Sequence, residues 1–256
     1  MALAFHDTGQ GPALLFLHAF PLDASQWDHQ IAALSGDHRC LRVDIWGCGD
    51  SPPPDHDGTL DEVAAAIIAG LDARSVDTFA VVGLSMGGYL ALAMCRAAAG
   101  RITSIALCNT RATADSDAAR ADRLAMAERI VVEDSVESLV EPMVERLLGP
   151  RARVEAHVTD PLRGRIRRCT PAGIAFAQRA MAARPDSTAQ LGALTVPVLV
   201  IGGTDDGMIP IAETQAMASA IPGARFVEMS CGHLSNLEDP REFNSILGGF
   251  LSPVSA

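Results

Sequence analysis

A serine at position 85 stands between two glycines in "GLSMG" (83–87), with the apolar run 79–84 before it and an alanine-rich run after it. A strand turning sharply into a helix lifts such a serine above the sheet edge, and only neighbours with little or no side chain let the backbone make that turn. The helix that follows points its first amide N–H groups toward any negative charge that develops beside it. Attack on a carbonyl carbon is the chemistry this arrangement suits. A serine hydroxyl is a poor nucleophile until a base takes its proton, so the rest of the chain must supply one.

Seven histidines offer that base. His29, His38, His56 and His157 sit among polar residues and read as surface positions; His6, near the N-terminus, reads as structural. His233, in "SCGHLSNLEDP" (230–240), follows the last apolar run and precedes a helix beginning near Pro240. That puts it on a loop at the carboxyl end of a strand, where open α/β sheets build their sites. A histidine base needs a carboxylate to fix its tautomer and stabilise its cation. "VLVIGGTDDGMIP" (198–210) places two just past an apolar run; Asp206 is preferred and Asp205 is the alternative, since adjacent carboxylates cannot both serve one imidazole. The last part is a pair of N–H donors for an oxyanion. "LFLHAFPLD" (15–23) turns after an early strand, and Phe20 N–H with Met86 N–H is the candidate pair. His18 reads as a residue that orders this loop.

Composition removes several competing chemistries. All 20 basic residues are arginine, which excludes a Schiff-base or pyridoxal lysine, a P-loop lysine and a Ser-Lys dyad. The net charge of −11 argues against a nucleic-acid partner. No apolar run approaches the roughly 20 residues of a membrane span, and the N-terminus reads as lacking a signal peptide, so a cytoplasmic protein is expected. Six scattered cysteines without CxxC spacing predict buried, reduced thiols rather than disulfides or a zinc site.

The elements that must position these residues are short apolar runs alternating with helical patterns. Strands are expected near 13–17, 40–43, 79–84, 102–108, 196–202 and 224–229, with a weaker one in "ALAF" (2–5). Helices are expected near 25–34, 60–71, 86–99, 212–220 and 240–250. Continuously apolar strands separated by helices predict a parallel sheet covered on both faces. The alternation stops between 111 and 190, where 13 arginines meet 12 acids. Here one helical stretch carries Leu124, Ile130 and Val131 as an apolar face, and a second helix starts at the cap Thr170 before Pro171. The expected organisation is a core of 1–110 and 191–256 with a helical lid at 111–190.

Over nearly its full length the chain resembles α/β-hydrolase fold proteins, and within them it is similar to 3-oxoadipate enol-lactonases and related esterases. The resemblance is carried by "HAFPLD" (18–23), "DIWGCGDS" (44–51), "GLSMGG" (83–88), "GTDDGMIP" (203–210) and "GHLSNLEDPREFN" (232–244). It implies Ser85 as nucleophile, His233 as base and, from its place between Gly203 and Pro210, Asp206 as the acid. It also implies Phe20 and Met86 as oxyanion donors, a small-molecule ester or lactone as substrate, and no metal or cofactor. The family begins with a fuller hairpin; only a stub precedes Gly9 here, so about seven strands are expected rather than eight. Ala19 stands where many relatives carry glycine.

Enol-lactones carry a free carboxylate, so a lactonase of this kind should hold a cation near its pocket. Arg111 is the first candidate, with Arg165, Arg167 and Arg168 of "RGRIRR" (163–168) behind it. The same constellation would serve a carboxylesterase, a cofactor-free perhydrolase or a non-enzymatic ligand receptor. Nothing in the sequence indicates an oligomeric state.

Overall fold

The apolar runs become seven strands: β1 (Phe5–Thr8), β2 (Ala13–Leu17), β3 (Arg39–Val43), β4 (Phe79–Leu84), β5 (Ile102–Cys108), β6 (Val198–Gly203) and β7 (Arg225–Met229). A computed structural model describes residues 2–252; Met1 and 253–256, the ends of the expected core, lie outside the described residues. The strands form one sheet in the order β1-β3-β2-β4-β5-β6-β7. Only β1 runs antiparallel, against β3; every other pairing is parallel. All six residues of β4 and of β6 are buried, which is why these strands are apolar without alternation. The first strand begins three residues later than "ALAF" suggested.

Helices α1 (Asp28–Leu34), α2 (Leu60–Asp72) and α3 (Met86–Ala98) connect the first five strands. Thr59 and Glu62 close a capping box at the start of α2. After β6 come α9 (Ile211–Ser219), α10 (Ser235–Glu238) and α11 (Pro240–Leu251). Register aligns the carboxyl ends of the strands: Leu17 pairs with Gly83, Leu84 with Cys108, Cys108 with Ile201 and Gly203 with Met229. The loops after β2, β4, β5, β6 and β7 therefore share one edge.

Between β5 and β6 the chain forms α4 (Asp117–Glu133), α5 (Glu137–Leu147), α6 (Ala156–Arg167), α7 (Pro171–Ala182) and α8 (Thr188–Leu191). Thr170 caps α7 by accepting from Gly173 N, with Pro171 in the first turn, as expected. Two expectations need correction here. In α4, Ile130 is buried but Leu124 and Val131 are 41% and 49% exposed. Residues 123, 126, 127 and 130 make the inward stripe instead, the i, i+3, i+4, i+7 spacing of one helical face, and the small Ala127 lets α7 pack close.

The second correction concerns the thiols. Cys48 and Cys169 form a disulfide across 121 residues of sequence, while Cys40, Cys95, Cys108 and Cys231 are buried and free. The pair meets because the loop after β3 lies against the α6–α7 connection: Thr170 N donates to Gly47 O at 2.6 Å and Gly49 N to Arg168 O at 3.2 Å. No sequence spacing announces such a contact. Burial pushes the Cys40 and Cys95 thiols up to about 11. No helix among the described residues is long and apolar enough to cross a membrane.

Candidate active site

Ser85 sits between β4 and α3 with φ 55° and ψ −114°, a backbone conformation costly for any residue with a side chain. The glycines around it are required by space. A Cβ on Gly83 would run into the carbonyl of Gly87, and one on Gly87 into the carbonyl of Leu17 in β2. The turn is held from β5, where Ser85 N donates to Cys108 O (2.9 Å) and Thr110 Oγ1 donates to Ser85 O (2.9 Å).

Asp206 follows β6 and His233 follows β7, on the same sheet edge. Asp206 Oδ1 accepts from Met208 N (2.8 Å) and Ile209 N (2.9 Å), and Oδ2 from Asn109 Nδ2 (3.0 Å). His233 Nδ1 lies 2.8 Å from Asp206 Oδ2. Burial alone would raise the Asp206 carboxyl; the adjacent His233 and these N–H donors outweigh it and hold the group below the usual carboxylate range. An ionised Asp206 can only accept, so Nδ1 carries a proton, and in the neutral imidazole this leaves the lone pair on Nε2. His233 Nε2 is buried and has no hydrogen-bond partner among the described residues. Asp205 is exposed, and among the described residues the imidazole's hydrogen bonds go to Asp206 alone.

Phe20 N–H and Met86 N–H donate to no protein acceptor among the described residues. His18 is fully buried and orders the first of these: Nε2 accepts from Ile45 N (3.0 Å) and Nδ1 donates to Ala19 O (2.9 Å). Its burial lowers its basicity, so it is a neutral strut and no second base. Among the other histidines, His29, His56 and His157 are exposed and His38 is half-buried. His6 Nε2 bonds Asp44 Oδ2 at 3.0 Å. Asp44 also accepts from Ala24 N on Oδ1 and from Asp50 N on Oδ2, so hydrogen bonds already join His6, Asp44 and Asp50 into a structural cluster.

Ser85 and Phe20 open onto a cavity of about 160 Å³. Met126, Met143, Met181 and Met208 give it an apolar lining, and Arg111, Arg123 and Arg146 give it cations. Arg111 Nη1 reaches Glu213 (3.1 Å) and Nη2 reaches Asp115 (3.2 Å). Asp115 also holds Arg123 (2.6 Å) and Arg184 (2.8 Å). Burial pushes the Asp115 carboxyl up, but hydrogen bonds from Arg184 and Arg123 win and set it at about 2. Arg146 makes no ion pair among the described residues. The expectation for the "RGRIRR" arginines is corrected: Arg165 bonds Ser25, Arg167 pairs with Glu137 and Arg168 with Asp23 and Asp50, and none lines the cavity. They lie at the end of α6, where neighbouring acids take them.

Sequence reading missed Asn109, Ser235, Arg123 and Arg146. Asn109 (φ 46°) joins Asp206 Oδ2 to Gly232 O (3.2 Å) and accepts from Ser235 Oγ (2.6 Å). Its one local signal is its place immediately after β5, on the edge where the other loops converge.

Residues 14–246 match the model of the alpha/beta hydrolase family. The 3-oxoadipate enol-lactonase 1 of Acinetobacter baylyi is 29% identical over 258 residues, covering 99% of this chain and 94% of its own. A thermophilic esterase from Thermogutta terrifontis, solved with malate bound, superposes with a TM-score of 0.93 at 35% identity, covering 97% and 92% of the two chains. The enol-lactonase of Burkholderia xenovorans superposes at 0.90 with 29% identity, covering 97% and 96%. With the sheet order, the strand–serine–helix turn and the match over 14–246 agreeing, the chain belongs to the alpha/beta hydrolase family.

Proposed function

We propose that the protein is a serine hydrolase that cleaves a carboxylic ester or lactone through an acyl-enzyme. Ser85 Oγ attacks the carbonyl carbon as His233 Nε2 takes its proton. The carbonyl oxygen, now negative, accepts from Phe20 N–H and Met86 N–H. The C–O bond breaks as His233 returns the proton to the leaving alkoxide, which in a lactone stays attached to the acyl chain. Water then attacks the acyl-enzyme with His233 again as base, and Ser85 is regenerated as the acid leaves. Helices α4 to α7 act as a lid over the cavity.

The observation that carries this reading is the buried Asp206–His233 pair at 2.8 Å, its second nitrogen unpartnered, on the edge that holds Ser85 at φ 55°. The arginines on the cavity wall point to a substrate carrying a carboxylate, and malate in the structure of a 35% identical esterase accords with this. Arg111 is assigned to that carboxylate together with Arg146, whose charge no ion pair takes up. Turnover of p-nitrophenyl esters and of lactones tests the proposal: product from the wild type and none from Ser85→Ala is expected. Equal rates from both would end it.

A further inference from the structure

A row of buried carboxamides lies behind the loop that carries Phe20, and the scheme above makes no use of it. Gln26, in the short 3-10 turn Ala24–Trp27, Gln30 of α1 and Asn236 of α10 are all fully buried. Gln26 Oε1 accepts from Ala19 N (2.8 Å), and its Nε2 donates to Asn236 Oδ1 (3.2 Å). Asn236 Nδ2 donates to Gln26 O (3.0 Å) and Gln30 Oε1 (3.1 Å). Gln30 Nε2 donates to Asn236 O (3.3 Å) and Asn244 Oδ1 (2.8 Å), and Asn244 Nδ2 donates to His29 O (3.1 Å).

A carboxamide has nearly the same shape either way round, so only its partners decide which end is which. This row starts on a backbone N–H, which can only donate, and finishes on a backbone carbonyl, which can only accept. The three fully buried amides are each fixed, because each also bonds a backbone N–H or carbonyl (Ala19 N, Asn236 O, Gln26 O): turning one over sets donor against donor or acceptor against acceptor at a buried position.

Gln26 grips Ala19 by its N–H, while the Ala19 carbonyl is held by His18 Nδ1 (2.9 Å) and Leu22 N (2.9 Å). That carbonyl shares a peptide plane with Phe20 N–H, and in a trans peptide the two point opposite ways. Fixing Ala19 at both ends therefore fixes where Phe20 N–H points. At the other end of the Gln26 side chain, Asn236 stands three residues after His233. Its neighbour Ser235 bonds Asn109, which bonds Asp206.

We propose that Gln26 is a positioning residue that, through Asn236, ties the oxyanion donor Phe20 N–H to the loop carrying His233, so that donor and base are held in one rigid frame. The inference rests on the serine-hydrolase reading of the site. Gln26→Met keeps the length and apolar volume of the side chain and removes both hydrogen bonds. Steady-state kinetics on p-nitrophenyl acetate, the inhibition constant of phenylboronic acid (which adds to a reactive serine as a tetrahedral anion) and circular dichroism together read the effect. Complete loss of an oxyanion donor costs about 100-fold or more. A donor left in place but loosened should cost about 10- to 100-fold in kcat, with KM within about twofold and boronate affinity weaker by the same factor as kcat. If Gln26→Met does not fold, Gln26→Asn, which keeps the amide but falls short of Ala19 N–H, should show the same loss. A folded variant with kcat and boronate affinity both within about twofold of wild type overturns the proposal. So does a fall in kcat with boronate affinity intact. A wild type that neither turns over ester nor binds boronate overturns the serine-hydrolase reading itself.

Discussion

Replacing Asp206 with Asn changes one atom and should disable the base. The carboxylate accepts from Met208 N and Ile209 N on Oδ1, and from Asn109 Nδ2 and His233 Nδ1 on Oδ2. In Asp206→Asn the amide oxygen must face the two backbone N–H groups, which puts the NH2 where Oδ2 was. It then meets Asn109 Nδ2 donor to donor. Asn109 cannot turn over to relieve this, because its oxygen would face Gly232 O. The NH2 also meets His233 Nδ1, so the imidazole must accept there and carry its proton on Nε2, the tautomer that cannot take a proton from Ser85. Imposing that wrong tautomer costs about 10⁴ in kcat in an enzyme with a Ser-His-Asp triad, equivalent to about 5 kcal/mol of transition-state stabilisation. The assay is stopped-flow release of p-nitrophenolate from p-nitrophenyl acetate, with circular dichroism to establish that the variant is folded. A folded variant that acylates within about tenfold of wild type would refute the reasoning.

Four other outcomes are expected. Asp115, at about 2 in the folded chain against 3.8 as its ordinary value, contributes roughly 2 kcal/mol that is fully present above pH 4 and lost as pH falls through 2. Urea melts should show Asp115→Asn destabilised by roughly 3 kcal/mol at pH 7 and by less at pH 2.5; a difference independent of pH contradicts this. Gly87→Ala should not yield folded protein, because its Cβ would occupy the place of the Leu17 carbonyl. Gly164→Ala, at a position in α6 with nothing within 4 Å, should raise stability by about 0.5 to 1 kcal/mol in the same melts. Arg111→Ala should slow carboxylated lactones at least about tenfold more than uncarboxylated ones; equal slowing removes Arg111 from substrate recognition.

Much of this was legible because some chemistry is local in sequence. β4 and β6 had to be continuously apolar to be buried on both faces, and the Ser85 turn had to carry glycine where Gly87 meets Leu17. His233 and Asp206 could be found because each follows an apolar run, and strand ends share an edge. What stayed hidden depends on meetings across long separations. Cys48 meets Cys169 only because two loops cross, and Gln26 meets Asn236 across 210 residues. Helix α6 went unread because Pro161 and Gly164 disguise it. Pro161 is the sixth residue of α6, past the first turn, where it removes the intrahelical bond to the carbonyl of residue 157. Which acids pair with the RGRIRR arginines could not be read from sequence, because Glu137, Asp23 and Asp50 lie on other elements.

The central claim is a covalent bond at Ser85. Rapid acid quench of the wild type with p-nitrophenyl acetate, followed by intact-mass and peptide mass spectrometry, tests it most directly. One acetyl group per chain, mapped to the peptide containing Ser85 and accumulating faster than steady-state turnover, is the expected result. Turnover with no acyl adduct, or an adduct on another residue that survives in Ser85→Ala, would contradict the account.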